Sequence, residues 1–318
     1  MSVLRYGLYS DGLTSPVIIW GLLDGKAGHA NQIHGLIKAL ERLIPIEPYF
    51  IDLRNTRVSF SRFIIGRFPA PEGATAPDLI IGAGHATHLP LLAAKRHHGG
   101  KTVVLMKPSL PTWLFDLCII PQHDQVRENR HVLNSMGPLN SLQPAPCKER
   151  HHGIFLIGGR SRHYTWDSDK ILEQIDTITK ADPEREWALL TSRRTPDSFI
   201  LKNLQPGNDR IRVLTPKECL PQTFSELLSE AEIVWVTPDS ISMVYEALSA
   251  GAAVGLFELE EKRKTCANSG INMLAEKGWC TPYVIWKKTR LLHKPEHPLA
   301  EADRIAHEIV ERWHLKRD

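Results

Sequence analysis

The sequence predicts an α/β chain of two doubly wound parallel sheets, and three observations carry that expectation. Its 318 residues are about twice the usual domain size. Apolar runs of strand type alternate with stretches whose apolar residues recur at helical spacing. The alternation comes in two series, separated by an aperiodic stretch from Ser135 to His152 that holds Gly137-Pro138, Pro144, Pro146 and Lys148-Glu-Arg-His-His152. Strands alternating with helices build a parallel sheet whose loops after the strand ends collect ligands. The expected plan is therefore two Rossmann-like domains, residues 1–148 and 149–298, facing across a cleft, with residues 299–318 as a terminal helix.

Composition narrows the class. Hydrophobic residues make up 42% and charged residues 24%, as in ordinary globular chains. With 39 basic against 36 acidic residues the net charge is +3, too balanced for a dedicated nucleic-acid protein. The five cysteines (Cys118, Cys147, Cys219, Cys266, Cys280) are odd in number and never Cys-x-x-Cys, which supports neither a disulfide framework nor a zinc knuckle and suits a reducing cytoplasm. The first sixteen residues lack the apolar run of a signal peptide, and no uncharged apolar run approaches the roughly 20 residues of a spanning helix, so any membrane contact is expected to be peripheral.

In the first series, Val17 to Leu23 is a buried strand, and Ile33, Leu36, Ile37, Leu40 and Ile44 form a helical stripe. Between them the loop Asp24-Gly-Lys-Ala-Gly-His29, with Asn31 as helix cap, is of the type that holds an anion: Gly25 and Gly28 let the backbone approach, Lys26 adds charge, and the helix start points at the ligand. It is neither a Walker A loop nor Gly-x-Gly-x-x-Gly, and Asp52 at the end of the strand Ile46 to Leu53 gives only weak support to a dinucleotide site. Further strands are expected at 78–82, 102–106 and 115–120, with a helix over 87–95. His85, His88, Lys107 and Pro121-Gln-His-Asp124 fall on the same edge. No third ligand is related to His85 and His88, so these are read as solvated histidines rather than a metal pair.

The second series begins with a strand at Gly153 to Ile157 and the loop Gly158-Gly159-Arg160-Ser161. Two glycines beside an arginine form a backbone cradle that suits a diphosphate. A helix with stripe Ile171, Ile175 and Ile178 follows, capped at Asp167 or Ser168. Strands at 186–191 and 211–214 flank the loop Ser192-Arg-Arg-Thr-Pro196, whose Arg193 and Arg194 either reach a phosphate or stay solvated. Short helices are expected around 224–228 and 271–277, a late strand at Thr281 to Trp286, and the terminal helix at Ala300 to Lys316, acidic at its start and basic at its end.

The stretch Ile233 to Phe257 reads strand, loop, helix, strand. Ile241, Val244, Tyr245 and Leu248 are the buried stripe, Asp239, Ser240 and Ser242 are residues of helix starts, and Gly251 is the stop. Glu246 stands one turn beyond Ser242, off the apolar stripe, where a carboxylate takes both hydroxyls of a ribose while the helix start takes a phosphate. Ser240-x-Ser242-x-x-x-Glu246-Ala247-x-x-x-Gly251 resembles the donor-binding segment of GT-B glycosyltransferases, including the lipid-II-forming GlcNAc transferase. Gly158-Gly159-Arg160-Ser161 is similar to their diphosphate loop, and the Asp24 to His29 loop to their first-strand loop. Most of the chain resembles the bacterial branch of the plant mitochondrial-fission "elongated mitochondria" family, itself similar to GT-B enzymes.

These resemblances imply a nucleoside diphosphate sugar as substrate, a donor site of Gly158, Gly159, Arg160, Ser161, Asp239, Ser240, Ser242, Met243 and Glu246, and an acceptor side formed by the first domain, with the terminal helix crossing back to it. His29 is the expected base for an acceptor hydroxyl, because imidazole titrates near neutrality, and Asp24 is second. No metal or other cofactor and no nucleic acid is expected: leaving-group charge falls to helix N-termini and arginine. The acceptor expected from the resemblance is a cell-envelope or lipid-linked one. The rivals are a nucleotide-sugar 2-epimerase of the same fold, a non-catalytic membrane-associated module of the fission family, and a dehydrogenase, for which the glycine fingerprint is poor.

Overall fold

The computed structural model describes residues 15–54, 68–145, 149–203, 211–262 and 266–315. Pro146, Cys147, Lys148 and Lys316, and most of the N-terminal sixteen residues, lie outside the described residues. Two parallel six-stranded sheets follow one another along the chain, giving a two-domain Rossmann-like α/β fold. The chain divides into two compact units, residues 1–117 with 303–318, and residues 118–302.

The first sheet takes β1 (Val17–Leu23), β2 (Ile46–Asp52), β3 (Leu79–Ala83), β4 (Lys101–Leu105), β5 (Leu117–Pro121) and β6 (Val132–Ser135) in the order β2-β1-β3-β4-β5-β6. Helices α1 (Ala27–Glu41) and α2 (His88–His98) connect its strands. The stripe of α1 is buried as its spacing requires: Ile33, Leu36 and Leu40 are sealed from solvent, as are Ile19, Trp20 and Leu22 of β1. The C-terminal helix, α9 (Glu301–Trp313), buries Ile305 and Ile309, and Arg42 Nε donates to Asp303 Oδ1 at 3.0 Å.

The second sheet takes β7 (Glu149–Ile157), β8 (Glu186–Thr191), β9 (Ile211–Leu214), β10 (Ala231–Val236), β11 (Ala253–Leu256) and β12 (Thr281–Pro282) in the order β12-β11-β10-β7-β8-β9. Its helices are α3 (Ser168–Ala181), α4 (Asp197–Asn203), α5 (Pro221–Glu230), α6 (Ile241–Ser249), α7 (Cys266–Glu276) and α8 (Tyr283–Thr289). Asp167 caps α3, accepting from the N–H groups of Asp169 and Lys170 at 3.1 Å. Gly251, at φ +72°, closes α6: its N–H reaches the Leu248 carbonyl and that of Ala252 the Ala247 carbonyl, the Schellman arrangement that only a left-handed residue permits.

Four expectations are corrected. Helix α1 starts at Ala27 with Lys26 as N-cap, so Asn31 lies inside the helix and His29 in its first turn; the glycine at 28 tolerates helical backbone and does not delay the start. The stretch 135–152 is not all linker, because β6 ends at Ser135 and β7 already begins at Glu149. The late strand is only Thr281–Pro282, and Tyr283 opens a helix. There Tyr283 and Trp286 are buried against Trp235 while Val284 and Ile285 face solvent, a spacing of three that a strand cannot produce. Finally, His88 is no solvated loop residue: it is buried, tilted against Phe115, with Nδ1 3.2 Å from Ser109 Oγ.

Candidate functional site

Each sheet has one point where the chain reverses its direction of travel across the strands. In the first it lies between β1 and β3, in the second between β7 and β10. Loops leaving adjacent strands on opposite faces open a crevice there, at the strand C-terminal ends. The sequence-derived candidates fall at these two points.

At the first, Asp24 follows β1 and its carboxylate is almost sealed from solvent, 3% exposed. Oδ1 accepts from the Lys26 N–H at 3.1 Å, and Oδ2 lies 2.8 Å from His29 Nδ1. Gly84, just after β3, lies under the His29 ring, where a Cβ at 84 would collide with Cε1; it also holds φ +80°, which disfavours any side chain. The imidazole is thus fixed from two sides. In a neutral ring, a carboxylate accepting at Nδ1 puts the proton there and leaves the lone pair on Nε2, which has no partner among the described residues. Gly25 holds φ +85° beside the Arg54 side chain, whereas Gly28 has open space around it and no special φ. Lys26 keeps its amine 4.0 Å from Asp24 Oδ2 and largely exposed, and Asn31 is exposed.

At the second, the Gly158-Gly159 loop is tied to the end of β10. Gly158 donates to Thr237 Oγ1 at 2.7 Å and Gly159 to Asp239 Oδ2 at 2.9 Å, while the Arg160 N–H reaches the Arg194 carbonyl at 3.3 Å. The cradle expected at this loop is therefore already filled by the protein's own acceptors, and its glycines serve close approach. A Cβ at 158 would run into the Asp239 carboxylate and one at 159 into the Arg194 carbonyl. Ser161 Oγ accepts from the Tyr164 N–H at 3.1 Å, and the Arg160 side chain is exposed.

Asp239 is the hub. Its side chain is fully buried, Oδ2 pairs with Arg194 Nη1 at 2.9 Å, and Oδ1 has no hydrogen-bond partner among the described residues. Burial pushes its carboxyl above the usual range, against the pull of the Gly159 N–H and the Arg194 guanidinium. Ser240 is the N-cap of α6 yet makes no side-chain cap, so the N–H groups of Ile241, Ser242 and Met243, the first three of the helix, lack the intrahelical acceptors of later turns. Ile241 and Ser242 border a cavity of about 250 Å³ that is also lined by His163, Tyr164, Arg194, Asp239 and Ser240. A helix start and an arginine beside a small cavity are the kinds of group that suit an anion. Glu246 is half-buried one turn further along, and Ser242 is exposed. Sequence reasoning left Arg194 undecided and missed Gly84, because each acquires its role from a partner distant in the chain.

The chain's one Asp-x-Asp, Asp167-Ser168-Asp169, opens α3, where Asp167 is occupied as the cap. Among the described residues no three His, Cys, Asp or Glu side chains are grouped to hold a metal ion. No helix among them is long and apolar enough to cross a membrane.

Residues 27–313 match the family model of mitochondrial fission ELM1. The chain belongs to that family. A relative, the uncharacterized protein RP120 of Rickettsia prowazekii, is 24% identical over 292 residues, covering 75% of this chain and 82% of the relative. Among solved structures, a protein of Listeria monocytogenes assigned as a UDP-N-acetylglucosamine 2-epimerase superposes with a TM-score of 0.56 at 13% identity, over 95% of this family member and 98% of that chain. S. aureus MnaA, solved with UDP, gives 0.51 at 13% identity over 94% and 97%. The glycotransferase of kitacinnamycin gives 0.50 at 13% over 94% and 99%. At these identities the likeness is one of fold: the family member shares the architecture of GT-B glycosyltransferases and nucleotide-sugar epimerases.

Proposed function

We propose that the protein is a metal-independent glycosyltransferase that uses a nucleoside diphosphate sugar. The observation that carries this is the cavity at the β7/β10 reversal, where the unpaired N–H groups of α6 and the Arg194 guanidinium converge and Glu246 follows one turn later. In this proposal the helix start, with Ser240 and Ser242, and Arg194 hold the diphosphate, and Glu246 holds the ribose hydroxyls. Gly158, Gly159 and Asp239 fix the loop that carries these groups, with Arg160 at its outer side. His29 Nε2 takes the acceptor proton, with Asp24 holding the ring and stabilising the imidazolium. Negative charge on the departing nucleotide is met by helix dipole and guanidinium. The acceptor proposed is a lipid-linked or cell-envelope one, which would place the protein at a membrane surface from the cytoplasmic side.

A 2-epimerase is the second reading, favoured by the folds of the Listeria and S. aureus proteins. Thermal-shift and calorimetric titration with UDP, GDP and UDP-N-acetylglucosamine tests the donor site, since a ligand bound only by the folded state raises the unfolding midpoint. No shift with any nucleotide sugar or diphosphate would overturn the proposal. Turnover of the nucleotide sugar to its 2-epimer with no acceptor present would replace transfer by epimerisation.

A further inference from the structure

A second cavity lies at the opposite edge of the second sheet from the α6 start. About 910 Å³ in volume, it is lined where strands begin: Trp187 is the second residue of β8, Ile233 the third of β10 and Ala253 the first of β11. Nothing in the proposed transfer uses it. Its size falls in the range of small-molecule sites.

Three features give it a chemistry. The first is an aromatic and aliphatic wall, in which Trp187, Trp235 and Trp286 are joined by Leu291, a residue 72% exposed. The second is depth: Trp187 and Trp235, both nearly fully buried, carry that wall into the core of the sheet.

The third is charge. The acids on the rim are matched by bases, Asp176 with Lys180 at 2.7 Å, and Asp182 and Glu232 both with Arg185 at 2.7 and 3.1 Å. Arg290 and Lys294 have no acidic partner among the described residues. With Arg185 shared by two carboxylates, the group carries one positive charge in excess. Arg290 is also held in place. As the C-cap of α8 it adopts the left-handed backbone at φ +56°, its N–H bonds the Trp286 carbonyl at 2.7 Å, and its guanidinium lies 4.7 Å from the centroid of the Trp286 ring. Lying over the indole orients the cation and leaves it less hydrated.

We propose that this cavity binds an amphiphilic organic anion, its apolar body against the tryptophan wall and its acidic head on Arg290 and Lys294. The site is independent of nucleotide-sugar chemistry and stands or falls separately from it.

The test uses the full chain with two probes, decanoate and 8-anilinonaphthalene-1-sulfonate, followed by calorimetry and probe fluorescence. Saturable binding at one site is expected, with each probe displacing the other. Decanol, of the same length without charge, should bind at least about tenfold more weakly, the loss of one charge-assisted contact. Lys294→Ser and Arg290→Ser should each weaken decanoate by a similar factor, while saturating UDP leaves it unchanged. Lys294 is an exposed loop residue, so its variant remains informative if Arg290→Ser folds poorly. Binding that does not saturate, equal affinity for decanol, or indifference to both substitutions would overturn the proposal.

Discussion

Asp24 Oδ2 and His29 Nδ1 lie 2.8 Å apart, so the two residues named separately as base and alternative base form one unit. A carboxylate on one ring nitrogen directs the lone pair of the other outward and favours the protonated ring once a proton is taken.

The first prediction concerns this pair. His29→Ala should leave donor affinity nearly unchanged and slow transfer by roughly a hundredfold or more, the usual scale of a lost general base. Asp24→Asn should act on the same step, because the amide permits the wrong tautomer. Steady-state rates with donor affinity measured in parallel decide it. A His29→Ala enzyme as fast as wild type would remove the pair from the mechanism.

Glu246→Ala should abolish most nucleotide affinity and spare the fold, since Glu246 is off the buried stripe of Val244, Tyr245 and Leu248. Losing its bonds to a ribose is worth about 2 to 4 kcal/mol. Calorimetry on the folded variant checks this, and unchanged affinity would refute the donor assignment.

Donor binding should resist chelation. Charge neutralisation is assigned to Arg194 and the α6 start, and Asp167 of the lone Asp-x-Asp is engaged as a cap. Titration with and without EDTA measures it; affinity that vanishes with chelator and returns with Mg²⁺ or Mn²⁺ would assign the reaction to a metal-dependent class.

Two glycines of the candidate sites should respond oppositely to alanine. At Gly159 the added methyl meets the Arg194 carbonyl, backbone that cannot rotate away, so Gly159→Ala should cost about 1 to 3 kcal/mol. Gly28 has empty space and sits in the first turn of α1, so Gly28→Ala should gain up to about 1 kcal/mol. Urea denaturation of both variants gives the signs.

His88 should make stability fall in mild acid. Burial, and then the neighbouring His85, hold its pKa below the ordinary histidine value. The unfolded chain therefore binds this proton first: the contribution is present above about pH 6.5 and is lost as pH drops from there through the folded value. Wild type should lose more stability between pH 7.5 and 5.5 than His88→Asn; equal losses by chemical denaturation would show that His88 does not contribute.

The sequence by itself determined the alternation of strands and helices, the buried stripes of α1, α3 and α6, and the glycine stop at 251, because periodicity and turn chemistry are local properties of the chain. It also marked the loops that hold the candidate residues, since in a parallel sheet strand ends collect on one edge. Tertiary structure decided what those residues do. Gly84 reaches His29 only because β3 pairs with β1, and Asp239 ties down Gly159 and Arg194 only because β10 pairs with β7. Local sequence presents the Gly158 and Gly159 backbone as a cradle for a diphosphate, but acceptors some 80 residues away occupy their N–H groups. Thr281 to Trp286 reads as a strand because Val and Ile dominate local propensity; the packing of Tyr283 and Trp286 on Trp235 makes Tyr283–Thr289 a helix. Spacing along the chain shows which side chains share a face, whereas partners come from which strands lie side by side, and that is a property of the folded sheet.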